Sequence, residues 1–118
     1  MKPSADLLRG ALEPIILEVI AEGATYGYEI ARAIDQRSSG QLLAQEGTLY
    51  PALHRLEKRG LLEAQWAESP EGRQRKHYKL TPLGRKERLA LKSQWSEFTR
   101  AVNLILGVEH VEPVFAIV

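Results

Sequence analysis

Apolar residues recur along the first twenty positions at intervals of three and four: Leu7, Leu8, Ala11, Leu12, Ile15, Ile16, Val19 and Ile20. A stripe of that period lies along one side of an α-helix, so the spacing predicts a helix over 6–21. Pro14 falls inside it. Either the helix kinks there, or a short first turn ends and a new helix begins with Pro14 near its first position. Gly23 then breaks the chain. A second helix is expected over 28–37, opened by Thr25 or Tyr26, with Ile30, Ala31 and Ile34 turned inward and Ser38-Ser39-Gly40 at its end. A third spans about 46–59. At about 100° per residue, Leu49, Ala52, Leu53 and Leu56 share one face, while Gly47, Pro51, His54 and Lys58 share the opposite one. Tyr50 and Arg55 flank that polar face, and Thr48 lies further round. Pro51 is expected in or near the first turn, where N–H groups have no intrahelical partner, and Gly60 is expected to close the helix.

The period then changes to two. Leu62, Ala64 and Trp66 alternate with Glu63 and Gln65, and Lys76, Tyr78 and Leu80 alternate with His77 and Lys79. Two half-buried antiparallel strands follow from this, with Trp66 in the core beneath them. The loop between them, Glu68 to Gln74, is rich in turn residues, and Arg73, Arg75 and Lys76 are placed at the ribbon tip. Thr81-Pro82 is a strong helix start, with Thr as N-cap and Pro in the first helical position. The last helix runs to about Leu106, where Gly107 stops it, and at ~1.5 Å per residue it is nearly 40 Å long. On it Leu91, Trp95, Phe98, Val102 and Ile105 step by four, three, four and three, a heptad seam. The simplest partner for such a seam is a second copy of the chain; the alternative is that it folds back on the first helix. The chain thus divides into 1–81, a helix over 82–107 and an apolar tail over 108–118, too short to span a bilayer.

The 118 residues suffice for one core, and 44% apolar with 26% charged residues is the balance of a globular protein. Net charge is only +1, so a nucleic-acid partner has to be argued from local charge. Residues 1–53 carry a net −3, whereas 54–80 carry seven Lys+Arg against four Glu. Cysteine is absent, which excludes disulfides, thiolate metal sites and a Cys nucleophile. Three scattered histidines offer no metal-site spacing, and the i+4 neighbour of His54 is Lys58 rather than a carboxylate. No nucleophile has an adjacent base, so neither an enzyme nor a cofactor is expected. No apolar run approaches the roughly 20 residues of a membrane span, and residues 1–12 lack the apolar core of a signal peptide. A soluble cytoplasmic protein is expected.

Three helices, a two-stranded ribbon and a long helix make a mainly α fold with a small β-hairpin. That order is the winged helix-turn-helix arrangement, in which the third helix enters the DNA major groove and the ribbon reaches the neighbouring backbone or minor groove. The outward face of the third helix offers a small residue (Gly47), hydrogen-bonding groups (Thr48, Tyr50, His54) and cations (Arg55, Lys58). Gly47 would let the helix N-terminus approach a phosphate closely, and Arg73, Arg75 and Lys76 could reach phosphates or a narrow groove from the ribbon.

Gly47-Thr-Leu-Tyr-Pro-Ala-Leu-His-Arg-Leu-Glu57, then Gly60-Leu-Leu, then Gly72-Arg-Gln-Arg-Lys-His-Tyr-Lys-Leu-Thr81 with Gly84 resembles the PadR family of bacterial transcriptional regulators. Tyr26-Gly-Tyr-Glu-Ile30 resembles that family's His-Gly-Tyr-Glu-Ile element, with Tyr in place of His, and the likeness covers roughly residues 8–107. His77 stands where Tyr is usual and Pro14 where Leu is frequent. The resemblance implies a homodimeric repressor that binds inverted repeats in double-stranded promoter DNA and is released by a small-molecule effector, phenolic or drug-like. It implies that Thr48, Tyr50 and His54 face DNA, that Tyr28 lies close to a phosphate, and that Arg73, Arg75 and Lys76 belong to the wing. It also implies that Trp95 matches an aromatic position lining a small-molecule effector pocket at the dimer interface of the drug-responsive compact members. Tyr28 and Tyr50 have packing as their alternative role. For the whole chain the alternatives are a winged-helix module that binds an acidic protein, and a ligand-binding dimer without an operator.

Overall fold

A computed structural model describes residues 5–108, so the expected tail beyond 108 lies outside the described residues. Its elements are α1 (Ala5–Ala21), α2 (Gly27–Arg37), α3 (Glu46–Lys58), β1 (Leu62–Glu68), β2 (Gln74–Leu80) and α4 (Pro82–Leu106). α1 is one continuous helix with Pro14 inside it, so no new helix begins at that residue. Leu12, Ile16, Leu17, Val19 and Ile20 are buried, whereas Leu7, expected on the same stripe, is largely exposed. α1 packs against α2, α3 and β2. The core is completed by Ile30 and Ile34 of α2, by Leu49, Ala52, Leu53 and Leu56 of α3, and by Leu61, Leu62 and Leu80 beside them. Each of the large side chains contributes about 1.5–3 kcal/mol by leaving water.

The helix ends are stopped by backbone geometry. After α3, Gly60 takes φ +78°, its N–H donates to the Glu57 carbonyl and the Leu61 N–H donates to Leu56. This paired closure satisfies two carbonyls that would otherwise be orphaned. α1 ends in the same way through Gly23 and Ala24. α2 does so through Ser39, the one non-glycine residue with positive φ among the described residues. Pro51 is a correction: it is the sixth residue of α3, beyond the first turn. Its missing N–H falls opposite the carbonyl of Gly47, an exposed residue, where water can substitute.

β1 and β2 pair antiparallel with Leu62 opposite Leu80, Ala64 opposite Tyr78 and Trp66 opposite Lys76. The strands are longer than the alternation suggested, and the turn is confined to residues 69–73. Ser69 closes it, its N–H donating to the Arg73 carbonyl and its hydroxyl accepting from the Arg73 N–H. Trp66 is a second correction. It is 62% exposed, not core. Tyr78, Leu62 and Leu80 lie at the root of the ribbon and are buried; further out, Trp66 has no such cover.

The chain forms two units, the first ending at Arg88 and the second beginning at Leu89. In the first, Thr81 caps α4 by accepting the Gly84 N–H at 2.9 Å, and the Arg88 guanidinium pairs with Glu18 of α1 at 3.0 Å. Gly84 is buried directly against the Leu61 backbone. In the second unit, the rings of Trp95 and Phe98 lie 6.0 Å apart, and Phe98, Leu104 and Ile105 are exposed. Gly107, at φ +74°, ends the helix. Among the described residues no helix is long and apolar enough to cross a membrane.

Candidate nucleic-acid interface

The apolar stripe of α3 fixes which way its other residues point. With Leu49, Ala52, Leu53 and Leu56 buried, Gly47, Tyr50, Pro51, His54, Arg55 and Lys58 are exposed and Thr48 is half-buried. A Cβ added at Gly47 would meet nothing within 4 Å. Gln45 precedes α3 without a side-chain cap, and so does Tyr26 before α2. Two helix N-termini therefore keep uncapped N–H groups and the positive ends of their dipoles, which favours anions there. α4, by contrast, is capped.

The start of α2 is tied to the wing. The Tyr78 N–H donates to the Thr25 carbonyl at 2.7 Å, and Tyr26 forms a bridge with His77. The Thr25 hydroxyl lies 2.8 Å from His77 Nδ1 and 3.0 Å from Glu29 Oε1. Glu29 also accepts the Thr25 N–H, and that bond holds its carboxyl below the usual carboxylate range. The Tyr26 ring meets His77 edge-on and carries the Arg75 guanidinium 4.4 Å above it. None of Thr25, Tyr26, Glu29 or His77 was singled out as a site residue from the sequence. The signal that could have found Thr25 and Glu29 is their four-residue spacing at a helix start; nothing local marks Tyr26 or His77.

Between α2, α3 and the wing lies a cleft of about 740 Å³. Tyr28, Tyr50, His54, Arg73, Arg75 and Lys76 all line it. Tyr28 is exposed, and the Tyr50 hydroxyl rests against Gly27, so Tyr50 both packs and faces outward. Arg73 ends the turn. Arg75 is within β2 and also approaches Glu71 at 3.4 Å. Lys76 is a further correction, because it does not sit at the tip. It pairs with Trp66 inside the ribbon and its ammonium donates to Glu57 of α3 at 2.8 Å. That hydrogen bond raises its pKa. Arg55 and Lys58 lie in the last turn of α3 and do not line the cleft.

On α4, Leu91 and Val102 are half-buried, whereas Trp95, Phe98 and Ile105 are exposed. Among the described residues no three His, Asp or Glu side chains are grouped to hold a metal ion.

Residues 16–90 match the model of the transcriptional regulator PadR-like family. The chain belongs to that family. A relative in Lysinibacillus sphaericus, itself uncharacterised, is 37% identical over 106 residues, covering 89% of this chain and 97% of the relative. Among solved structures, a transcriptional regulator from Clostridium thermocellum superposes with a TM-score of 0.76 at 33% identity, over 84% of this chain and 96% of its own. A PadR-like transcriptional regulator from Bacillus cereus gives a TM-score of 0.71 at 31% identity, over 89% and 100%. The family segment itself reaches into α4, and these relatives cover more of the chain than that segment does. Such proteins are regulators of transcription and not enzymes.

Proposed function

We propose that this PadR-like regulator is a homodimeric repressor that binds inverted-repeat promoter DNA, with α3 in the major groove and the wing on the adjacent backbone. The observation that carries the reading is the exposed face of α3, with Gly47 open at an uncapped N-terminus. Thr48, Tyr50 and His54 are assigned to base edges and nearby phosphates. Arg55, Lys58, Arg73 and Arg75, with Tyr28, are assigned to phosphates, which supply most of the affinity and make it salt-dependent. Lys76 has a smaller role than its charge suggests, because Glu57 already neutralises it.

The homodimer is supported by the apolar side chains that α4 leaves exposed, Phe98 at 61% and Ile105 at 85% among them. Leu91, Trp95, Phe98, Val102 and Ile105 form its seam, and Trp95 is the residue there that a small-molecule effector would touch. Two-fold symmetry then sets the recognition helices to half-sites about 34–36 Å apart. The test is fluorescence anisotropy of labelled DNA from the gene's own upstream region against a scrambled duplex, at two salt concentrations. Tight, salt-sensitive binding to the upstream DNA alone is expected. Equal, weak binding to both would remove the operator-binding reading.

A further inference from the structure

Glu57 stands in the last turn of α3, where the helix dipole is negative and a carboxylate is disfavoured. Its neighbours there, Arg55 and Lys58, are the cations that such a position favours. What holds the carboxylate comes from outside the helix. The Lys76 ammonium, on β2, donates to its Oε1 at 2.8 Å. An acidic residue of the helix assigned to the major groove thus engages a cation of the wing.

The pair sits where a phosphate can contend for it. Lys76 lines the cleft together with Arg73 and Arg75. Its side chain is 29% exposed and that of Glu57 is 32% exposed, so neither is sealed from a duplex lying against the wing. The ammonium also stands 5.4 Å above the ring of the buried Tyr78. Ion pairs as open as this contribute little to stability; the larger effect is on the charge that the wing offers to a polyanion. The three wing cations differ in this respect. Arg73 makes no ion pair among the described residues. Arg75 approaches Glu71 at 3.4 Å, but Glu71 is an exposed residue of the turn. Glu57 is carried by a helix packed into the core, so Lys76 meets its counter-charge at a fixed place.

We propose that Glu57 is an intramolecular stand-in for a DNA phosphate, which withholds Lys76 from sequence-independent binding. A consequence for selectivity rests on the operator-binding reading above. Sequence-independent binding shifts register until each available cation meets a phosphate, and its affinity scales with their number. On an operator the base contacts fix the register, and a cation rooted at one place on β2 gains little from being freed. Removing the Glu57 charge therefore strengthens binding to indifferent DNA more than binding to operator, and the ratio between the two falls.

The experiment uses the full-length protein, anisotropy over a salt series, and two labelled duplexes, the gene's upstream region and a scrambled one. Glu57→Gln keeps the length and an acceptor oxygen while removing the charge. It should bind the scrambled duplex at least about threefold tighter, with a salt slope steeper by about one, and gain less than about twofold on the upstream duplex. Lys76→Met, which keeps most of the aliphatic stem, should leave the scrambled-duplex slope nearly unchanged. Glu57→Gln in the Lys76→Met background should gain nothing, whereas a general field effect of the lost negative charge would persist without Lys76. An unchanged slope in Glu57→Gln, a gain that survives in the double variant, or a slope lower by about one in Lys76→Met would each overturn the proposal. An equal gain on both duplexes would overturn its selectivity. Lys76→Met leaves Glu57 intact, so it decides the matter even where Glu57→Gln fails to fold. If the wild-type protein binds both duplexes alike, the repressor reading falls while the scrambled-duplex slopes still decide the role of Glu57; no binding to either duplex would overturn both.

Discussion

A methyl group added at Gly84 would stand 2.0 Å from the Leu61 carbonyl oxygen. A backbone atom cannot swing aside as a flexible side chain can, so α4 would have to back away from the end of α3. Gly84→Ala is expected to lower stability by about 2–3 kcal/mol, read as a fall in urea midpoint with an unchanged slope. Ser39 presents the reverse case. It holds φ 54° at the closure of α2, a conformation that glycine adopts freely, so Ser39→Gly should gain about 0.5 kcal/mol in the same measurement. Glu29 carries a pH signature. Its pKa is depressed in the folded protein, mainly by the Thr25 N–H, so its contribution is present at neutral pH and is lost as pH falls through the carboxylate range. Glu29→Gln should therefore differ most from wild type at pH 7, and the two midpoints should converge as the pH drops through about 4.

At the scale of elements, α3 was legible in the sequence almost residue for residue, because a 3.6-residue period names both the covered side and the exposed side. The Thr81-Pro82 start was legible for a similar reason: cap chemistry is local. The wing was legible only in part. Alternation tells which residues share a face of a ribbon, but not whether anything covers that face, and so Trp66 was assigned to a core that ends before reaching it. Lys76 and Glu57 are nineteen positions apart, and the fold that brings them to 2.8 Å is not written in either segment. The link from Thr25 to His77 spans fifty-two positions and was missed for the same reason. These contacts sort the basic residues into engaged and available ones. Lys58→Ala and Arg73→Ala should each weaken binding to any duplex and reduce the salt slope by about one. Lys76→Ala should change the slope less, and anisotropy titrations over a salt series measure all three.

For the whole molecule, the question is what satisfies the exposed apolar side chains of α4. Phe98 stands next to Trp95 and is 61% exposed, and this is apolar surface that the proposed dimer would cover. A charge placed there would be buried unpaired in a dimer but harmless in a monomer. If the proposed dimer forms through this seam, Phe98→Glu should convert it into folded monomers by sedimentation, with the far-UV spectrum of the winged helix retained. An intact dimer would remove Phe98 from the seam. Loss of the dimer should also weaken operator binding far more than binding to a single half-site, since the second half-site is engaged only at the effective concentration that dimerisation provides.

The bond from Tyr78 to the Thr25 carbonyl, together with the Tyr26–His77 bridge, has one more consequence. The ribbon is riveted at its root to the start of α2, and α2 is packed on α3, so in the proposed complex the gap between the wing and α3 would act as the jaws of a caliper. A tool of that kind gauges thickness. Duplexes whose backbone is locally too wide or too narrow for the jaws would be turned away before any base is read, and stiff and pliable sequences of identical contact letters would be told apart.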